Sequence, residues 1–317
     1  MKLFGLSKRE LRQGVNYLLN LMEKLLKRES VEKVPLIHVV LPTGYGKSEA
    51  SIHLIRLIAE LGETSLVERL IHVVPTKCLV EDLTVRARKA KVPALAQSMY
   101  MNPSLKAPYF IQPLIFTTLD SYVMNFYKVP VAEIRSIAIG KSLGHSEIPR
   151  YAILTALNVF DEYHMFVPGD SPSKDPKFEA KAWTVLLTTI TSLLWAKIPV
   201  IIETATPRNL AYEYIIKKGP QKSLETYQII YDYSSQGEEK ENRIVVPDRD
   251  FATTVLERRF HTEIIQGTVT EYTDNFLKNN PDENVLIVCN TITHAIKTFR
   301  VAKDKGECTL LHSRLTI

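Results

Sequence analysis

A series of short aliphatic runs, each followed by a longer amphipathic stretch, constrains this chain more than any other feature. "LIHVVLP" (36–42) precedes "SEASIHLIRLIAEL" (48–61), and "LIHVVPT" (70–76) precedes "CLVEDLTVRARKA" (78–90). "PLIFTTLD" (113–120), "ALNVFDEYH" (156–164) and "PVIIETATP" (199–207) continue the alternation. A strand that reads as nearly continuous Ile, Val and Leu is apolar on both faces, so both faces must be covered by helices. That requirement predicts an α/β fold with a parallel sheet.

With 317 residues, 45% hydrophobic and 24% charged, the chain is long enough for two domains with real cores. The formal net charge of +5 is mildly basic, which is compatible with a nucleic-acid partner. Cys78, Cys289 and Cys308 have no metal or CxxC spacing and read as buried thiols of a reducing compartment. "MKLFGLSKRELRQG" lacks the apolar core of a signal peptide, and no apolar run reaches membrane-spanning length, so a cytoplasmic protein is expected.

Along the chain, residues 1–35 form an N-terminal helical segment. Leu11, Val15, Leu18, Leu19, Met22, Leu25 and Leu26 predict a helix over 7–29. Residues 36–235 form a first α/β domain. "YDYSSQGEEKENRIVVPDRD" (231–250) is polar and charged at its centre, and 236–250 reads as a linker. From 251 to 317 a second α/β unit begins, with strands expected in "RRFHTEII" (258–265), "NVLIVCNT" (284–291) and "CTLLHSRLTI" (308–317). About three strands make a small sheet, so the reading is of a truncated second domain.

The stretch "LPTGYGKSEA" (41–50) fits the phosphate-loop pattern except at its first place, where Leu41 replaces the usual small residue. Such a loop aims backbone N–H groups at phosphate oxygens with a helix N-terminus behind them. Gly44 and Gly46 permit the required backbone, Lys47 reaches the β- and γ-phosphates, and Ser48 ligates Mg²⁺. Leu41 is tolerable if its side chain enters the sheet packing. A loop of this kind needs an acidic partner closing another strand. Asp161, after "ALNVF", would order Mg²⁺, and Glu162 would polarise the attacking water as general base. His164, Thr204 and Thr206 offer a hydrogen-bonded link between two strand ends, against the plainer reading of His164 as a structural histidine.

"PTGYGKSEA", "DEYH" and "TATP", in this order, resemble motifs I, II and III of superfamily-2 helicases. "VVPTKCLVEDL" resembles motif Ia, "IFTTLDSYVM" the next nucleic-acid-contacting motif, and "NVLIVCNT" motif IV. More narrowly, "PTGYGKSEA", "FDEYHMF" and "LLHSRL" are similar to the helicase of type I CRISPR interference. The resemblance implies RecA-like domains and a site for ATP and Mg²⁺ at Thr43, Gly44, Tyr45, Gly46, Lys47 and Ser48 with Asp161 and Glu162. It implies coupling through His164, Thr204 and Thr206, and DNA-backbone contacts near Pro75, Thr76, Lys77, Thr117 and Thr118. Gln13 is either an adenine-reading glutamine or a solvated one. Arg86, Arg88, Lys89 and Lys91 either meet phosphates or form a solvated face.

The expected activity is an ATP-dependent DNA helicase of the CRISPR interference type acting on single-stranded DNA. A repair or RNA helicase of the same superfamily, or a non-hydrolysing nucleic-acid-binding module, are the alternatives. No motif V or VI follows "NVLIVCNT", so poor hydrolysis by the isolated chain is expected. None of the eight histidines is followed by Asp, so an HD nuclease would be a separate subunit, acting with a CRISPR surveillance complex.

Overall fold

The computed structural model describes residues 11–27, 32–98, 103–130, 133–142, 144–167, 176–232, 238–240, 242–257, 266–289 and 291–310. The chain divides into two compact units, Met1–Glu257 and Arg258–Ile317.

Among the described residues the first unit is built on nine strands: β1 Val34–Val40, β2 Arg69–Val74, β3 Ala94–Gln97, β4 Leu114–Thr118, β5 Ala156–Phe160, β6 Val200–Thr204, β7 Leu224–Tyr231, β8 Glu238–Lys240 and β9 Arg243–Val246. They form one sheet in the order β3-β4-β2-β5-β6-β1-β7-β9-β8. Every pairing is parallel except β8 with β9. Helices alternate with the strands: α1 Gln13–Leu26, α2 Lys47–Leu61, α3 Lys77–Lys89, α4 Leu119–Phe126, α5 Ile134–Ala138, α6 Glu147–Leu154, α7 Pro176–Trp195, α8 Asn209–Lys218 and α9 Arg249–Leu256.

Strand alternation sends the side chains of each strand into two separate cores. On one face Ile37, Val39, Leu70, Val74, Val159 and Ile201 pack beneath α1, α2 and α3. On the other, Leu36, Ile71, Val73, Phe160, Val200 and Ile202 join Leu186, Ile190 and Leu193 of α7 and Ile215 of α8. Burial on both faces is why β1, β5 and β6 carry no solvent-facing alternation.

Several sequence expectations change. The N-terminal helix is shorter among the described residues, beginning at Gln13 after the extended Arg12. Residues 238–246, expected within a linker, supply β8 and β9 to the sheet. An edge hairpin stays solvated on one side, so "EEK" and Asn242 give it a linker-like composition while Ile244, Val245 and Val246 do the pairing and packing. The cysteines are not buried: Cys78 is exposed, and Cys289 and Cys308 are partly so.

In the second unit, α10 Val269–Asn279 and α11 Ile292–Lys303 pack together. A capping box of Thr268 and Glu271 starts α10, Thr291 caps α11, and the hydroxyls of Thr270 and Thr298 meet at 2.9 Å. No strand occurs among the described residues of this unit. Residues 283–289 make no ladder, and Leu286 and Val288 are 90% and 78% exposed. A strand needs a partner for its backbone groups as well as an apolar sequence. The segments 258–265 and 311–317, with "LLHSRL", lie outside the described residues. No helix among the described residues is long and apolar enough to cross a membrane.

Candidate nucleotide site

The parallel order β4-β2-β5-β6-β1 aligns the carboxyl ends of these strands along one edge, where ligands of open α/β sheets bind. The phosphate-loop residues leave β1, Asp161 and Glu162 leave β5, and Thr204 closes β6. Leu41 N–H donates to Thr204 O (3.2 Å), and Asp161 N–H to Val73 O (2.9 Å), locking the three strand ends to their neighbours.

Leu41 is buried in the core between the sheet and α1. Helix α1 approaches so closely that a Cβ on Gly14 would stand 2.9 Å from Leu41 Cδ2 and 3.0 Å from Tyr45 Cε1. Leu41 therefore contributes packing, which accounts for its departure from the usual small residue. Gly44 and Gly46 adopt φ of +77° and +103°, where a side chain would strain the backbone. Behind them α2 starts without a side-chain cap, leaving its first N–H groups directed at the loop mouth.

Lys47 is buried, its Nζ donating to Leu41 O (2.8 Å) and Pro42 O (3.3 Å), with Glu162 Oε1 at 3.6 Å. Ser48 Oγ donates to Asp161 Oδ2 at 3.2 Å. Asp161 is buried; burial alone would raise its pKa, but the approach of the His72 ring, the Lys47 charge and the Ser48 hydroxyl together hold it below the ordinary carboxylate range. Glu162 adopts the left-handed region at φ +48°, a conformation that costs a non-glycine residue about 1–2 kcal/mol. This backbone turns its carboxylate toward β6, where Oε2 accepts from Ala205 N–H (3.4 Å) and meets His164 Nδ1 at 3.2 Å. His164 Nδ1 lies 2.8 Å from Thr204 Oγ1, which also accepts from Thr206 N–H at 3.0 Å. The two strand ends are thus joined through Glu162, His164 and Thr204, with Thr206 entering by its backbone.

Other expected residues divide. Thr43 lies in the loop. Tyr45 turns its ring away from the mouth: it is buried, its hydroxyl donates to Asp248 Oδ2 (2.6 Å) and accepts from Gly14 N–H (3.1 Å). Any nucleotide contact from Tyr45 is left to its backbone. Gln13 is exposed at the start of α1, between Gly14 and Arg12, whose Nη1 donates to Gly44 O at 2.9 Å.

Among the expected nucleic-acid residues, Thr117 is corrected. It is 0% exposed, and its hydroxyl donates to Gln97 O at 2.7 Å inside the sheet, so it cannot reach a phosphate. Thr118 stands at the strand end beside Val74. Pro75, Thr76 and Lys77 share that edge; Thr76 Oγ1 caps α3 through Leu79 N–H, and Lys77 Nζ lies 3.6 Å from Glu81. In the α3 cluster, Arg86 pairs with Asp82 (2.8 Å) and Arg88 donates to Ala94 O (2.9 Å), so both have partners within the protein.

Sequence reasoning missed Arg12, Asp248, His72, Ser51 and Glu203. Arg12 lies over the rings of Tyr45 and Phe251, 5.3 and 4.4 Å from their centroids. His72 and Glu203 were detectable: each is an ionisable residue within a run of buried, mostly aliphatic strand residues, where such groups are rare without a partner. Arg12 and Asp248 carry no comparable signal, because their neighbours come from distant parts of the chain.

Among solved structures, the chain is similar to Cas3 of T. fusca, at 15% identity and a TM-score of 0.57, covering 96% of this chain and 37% of that one. Matches also include the AMPPNP complex of T. fusca Cas3, at 19% identity and TM-score 0.46 over 67% of this chain and 23% of that one. The Hef helicase domain of Pyrococcus furiosus matches at 14% identity and TM-score 0.41, over 93% of this chain and 53% of that one. The first match shows a shared fold, a RecA-like α/β fold in common with T. fusca Cas3. The chain spans only part of the length of each of these proteins. No protein-family model and no curated protein matches the sequence.

Proposed function

We propose that the chain is an ATP-dependent motor of the superfamily-2 type, a helicase or translocase acting on single-stranded DNA in type I CRISPR interference. The observation that carries the reading is the convergence of Lys47, Ser48, Asp161 and Glu162 from the ends of β1 and β5, which flank β6, with Ser48 Oγ 3.2 Å from Asp161 and Lys47 Nζ 3.6 Å from Glu162.

The residues fit a magnesium–nucleotide. Asp161 keeps one carboxylate oxygen without a hydrogen-bond partner, and α2 presents uncapped N–H groups beside it. Ser48 and Asp161 would hold Mg²⁺, which there supplies positive charge against the phosphates. Lys47 exchanges the carbonyls of Leu41 and Pro42 for a phosphate, so triphosphate entry opens the loop's own closure. Glu162, oriented by Ala205 N–H and His164, is the base that takes a proton from water. Because His164 and Thr204 bridge β5 and β6, a change at Glu162 passes directly to the Thr204–Thr206 turn. Gln13 is proposed to read the base, since it lies between two residues that grip the loop.

Thr118, Thr76 and Lys77 line the same edge and suit sequence-independent contact with a DNA backbone. The interference assignment rests on "FDEYHMF" and "LLHSRL" and is supported by the shared fold with T. fusca Cas3. On this reading residues 258–317 begin a second RecA-like domain, whose closure onto the first is required for turnover, and a separate HD nuclease subunit and a surveillance complex are the partners.

The test uses the full-length gene product. ATPase and strand displacement are measured with single-stranded DNA and with RNA, for wild type, Lys47→Ala and Glu162→Gln. The expected result is DNA-stimulated turnover that falls at least about 100-fold in both variants. Turnover stimulated by RNA alone would remove the interference reading, and no nucleic-acid-stimulated turnover in the full-length protein would reduce the chain to a binding module.

A further inference from the structure

We propose that His72, Asp161 and Glu203 form a binding site for a divalent transition-metal ion of the Mn²⁺ or Zn²⁺ class, beneath the phosphate loop and separate from the Mg²⁺ position at Ser48. Strand register assembles it. His72 of β2 pairs with Val159 of β5, which pairs with Ile201 of β6. Two residues further along, on the same face, stand Asp161 and Glu203. Three successive strands thus send an imidazole and two carboxylates into one place under α2.

The three side chains are 0%, 4% and 0% exposed, and one ligand atom from each lies within 4.8 Å of the others. His72 Nδ1 is engaged with Ser51 Oγ at 2.8 Å. That bond orients the ring and leaves Nε2 toward Asp161, 3.6 Å from Oδ2. A ring nitrogen fixed by a partner on its far side is the usual arrangement of a metal-binding histidine. His72 Nε2, Asp161 Oδ1 and both Glu203 oxygens have no hydrogen-bond partner among the described residues.

Two buried carboxylates, Glu203 with no donor and Asp161 with only the Ser48 hydroxyl on one oxygen, are costly, and something must compensate them. A shared proton is the simplest candidate, and burial together with the Asp161 charge does push the Glu203 carboxyl upward. A single proton shared between the two carboxylates satisfies at most two of these four open atoms, whereas one ion engages an atom of all three residues. Ligand atoms each about 2.0–2.2 Å from a common ion stand up to roughly 4 Å apart, so atoms that lie within 4.8 Å of one another need only a small contraction. Lys47 offsets part of the charge on both carboxylates, but its Nζ is bonded to the loop carbonyls and makes no hydrogen bond to either among the described residues. One imidazole and two carboxylates in a dry pocket suit Mn²⁺ or Zn²⁺; Mg²⁺ prefers oxygen ligands and keeps several waters.

The site does not depend on ATP hydrolysis, although it shares Asp161 with the proposed nucleotide site. Its test is therefore made without nucleotide and with variants at the other two ligands. Chelator-treated full-length protein is titrated with Mn²⁺ and free ion is followed by electron paramagnetic resonance. The expected result is one Mn²⁺ per chain, displaced by equimolar Zn²⁺ and not by equimolar Mg²⁺. Glu203→Gln and His72→Phe each weaken binding at least about tenfold, while Ser48→Ala stays within twofold. Thermal unfolding with added Zn²⁺ gives a second readout: the midpoint rises for wild type and not for Glu203→Gln. Absence of stoichiometric binding, unchanged affinity in both ligand variants, or loss of nucleotide-free binding in Ser48→Ala would each overturn the proposal. Loss of DNA-stimulated ATPase in Lys47→Ala, with Mn²⁺ binding intact, separates this site from the motor reading.

Discussion

Removing one oxygen from the phosphate loop tests how the loop is held. Tyr45→Phe keeps the ring and its contacts with Tyr231 and Phe251, whose centroids lie 5.5 and 5.0 Å away. It deletes the hydroxyl that donates to Asp248 Oδ2 and accepts from Gly14 N–H, both in a buried setting. Burial and the Asp248 carboxylate push the Tyr45 pKa up, so the phenol stays a donor throughout the working range. A hydrogen bond to a charged group contributes about 1.5–3 kcal/mol, and a buried N–H left unpaired costs about 1–3 kcal/mol. Allowing for partial solvation of the small gap, the variant loses about 3 kcal/mol. For a unit of this size that is a fall of roughly 6–12 °C in melting temperature. Chemical denaturation followed by circular dichroism gives the free energy. A cycle with Asp248→Asn isolates the pair, with an expected coupling of at least about 1.5 kcal/mol. A Tyr45→Phe loss below about 0.5 kcal/mol, or a coupling near zero, would refute the account, because the loop would then be held by its glycines and α2 alone.

Three further outcomes are expected. Gly14→Ala puts a Cβ against Leu41 and Tyr45 and destabilises by about 1–3 kcal/mol in the same denaturation experiment, whereas a neutral effect would mean that α1 can retreat. Thr117→Val leaves Gln97 O without its donor and lowers stability by about 1–3 kcal/mol without changing affinity for single-stranded DNA in a fluorescence titration, while Thr118→Ala weakens that affinity. His38, buried against Tyr212 with its pKa lowered to about 4, stays neutral in the fold while the unfolded chain takes up a proton near pH 6.5. Stability therefore falls as pH drops from 6.5 toward 4, by up to about 3 kcal/mol from this group, and His38→Gln flattens that slope by about one proton.

How much of this was legible follows from what a side chain must be near. The glycines at 44 and 46, Lys47, Ser48 and the Asp161–Glu162 pair announce themselves because phosphate chemistry demands those residue types at strand ends, whatever the remaining packing. Side-chain direction is less legible: Tyr45, inside the loop motif, buries its ring against Asp248, and Thr117, in "IFTTLD", buries its hydroxyl against Gln97 O. Motif spacing fixes where a backbone goes, but not which face of the sheet a given side chain enters. Thr117 is one residue from the exposed edge, and the twofold alternation of β4 turns it inward to Gln97. The hairpin of β8 and β9 was read as linker because an edge strand is selected to stay polar. The apolar "VLIVC" was read as a strand, yet a strand is defined by a partner that no single run of residues encodes.

The least legible element also has the largest mechanical consequence. Asp248 accepts from Tyr45 with one carboxylate oxygen and from Phe251 N–H with the other, capping α9, while Tyr231 Oη donates to its carbonyl. Arg12 spans the rings of Tyr45 and Phe251 and grips Gly44 O. The loop that would close on a triphosphate is thus fastened to the N-termini of α1 and α9 through Arg12 and Asp248. If Lys47 must release Leu41 O and Pro42 O to reach a phosphate, the backbone strain of that release falls on Gly44 and Tyr45, and so on both helices together. Arg12→Ala should therefore leave the Lys47–Glu162 geometry intact yet loosen the loop. Its expected signature is faster amide exchange at Gly44, Tyr45 and Phe251 with little change across β5 and β6. Exchange confined to Gly44 alone would show that the two helices move independently of the loop.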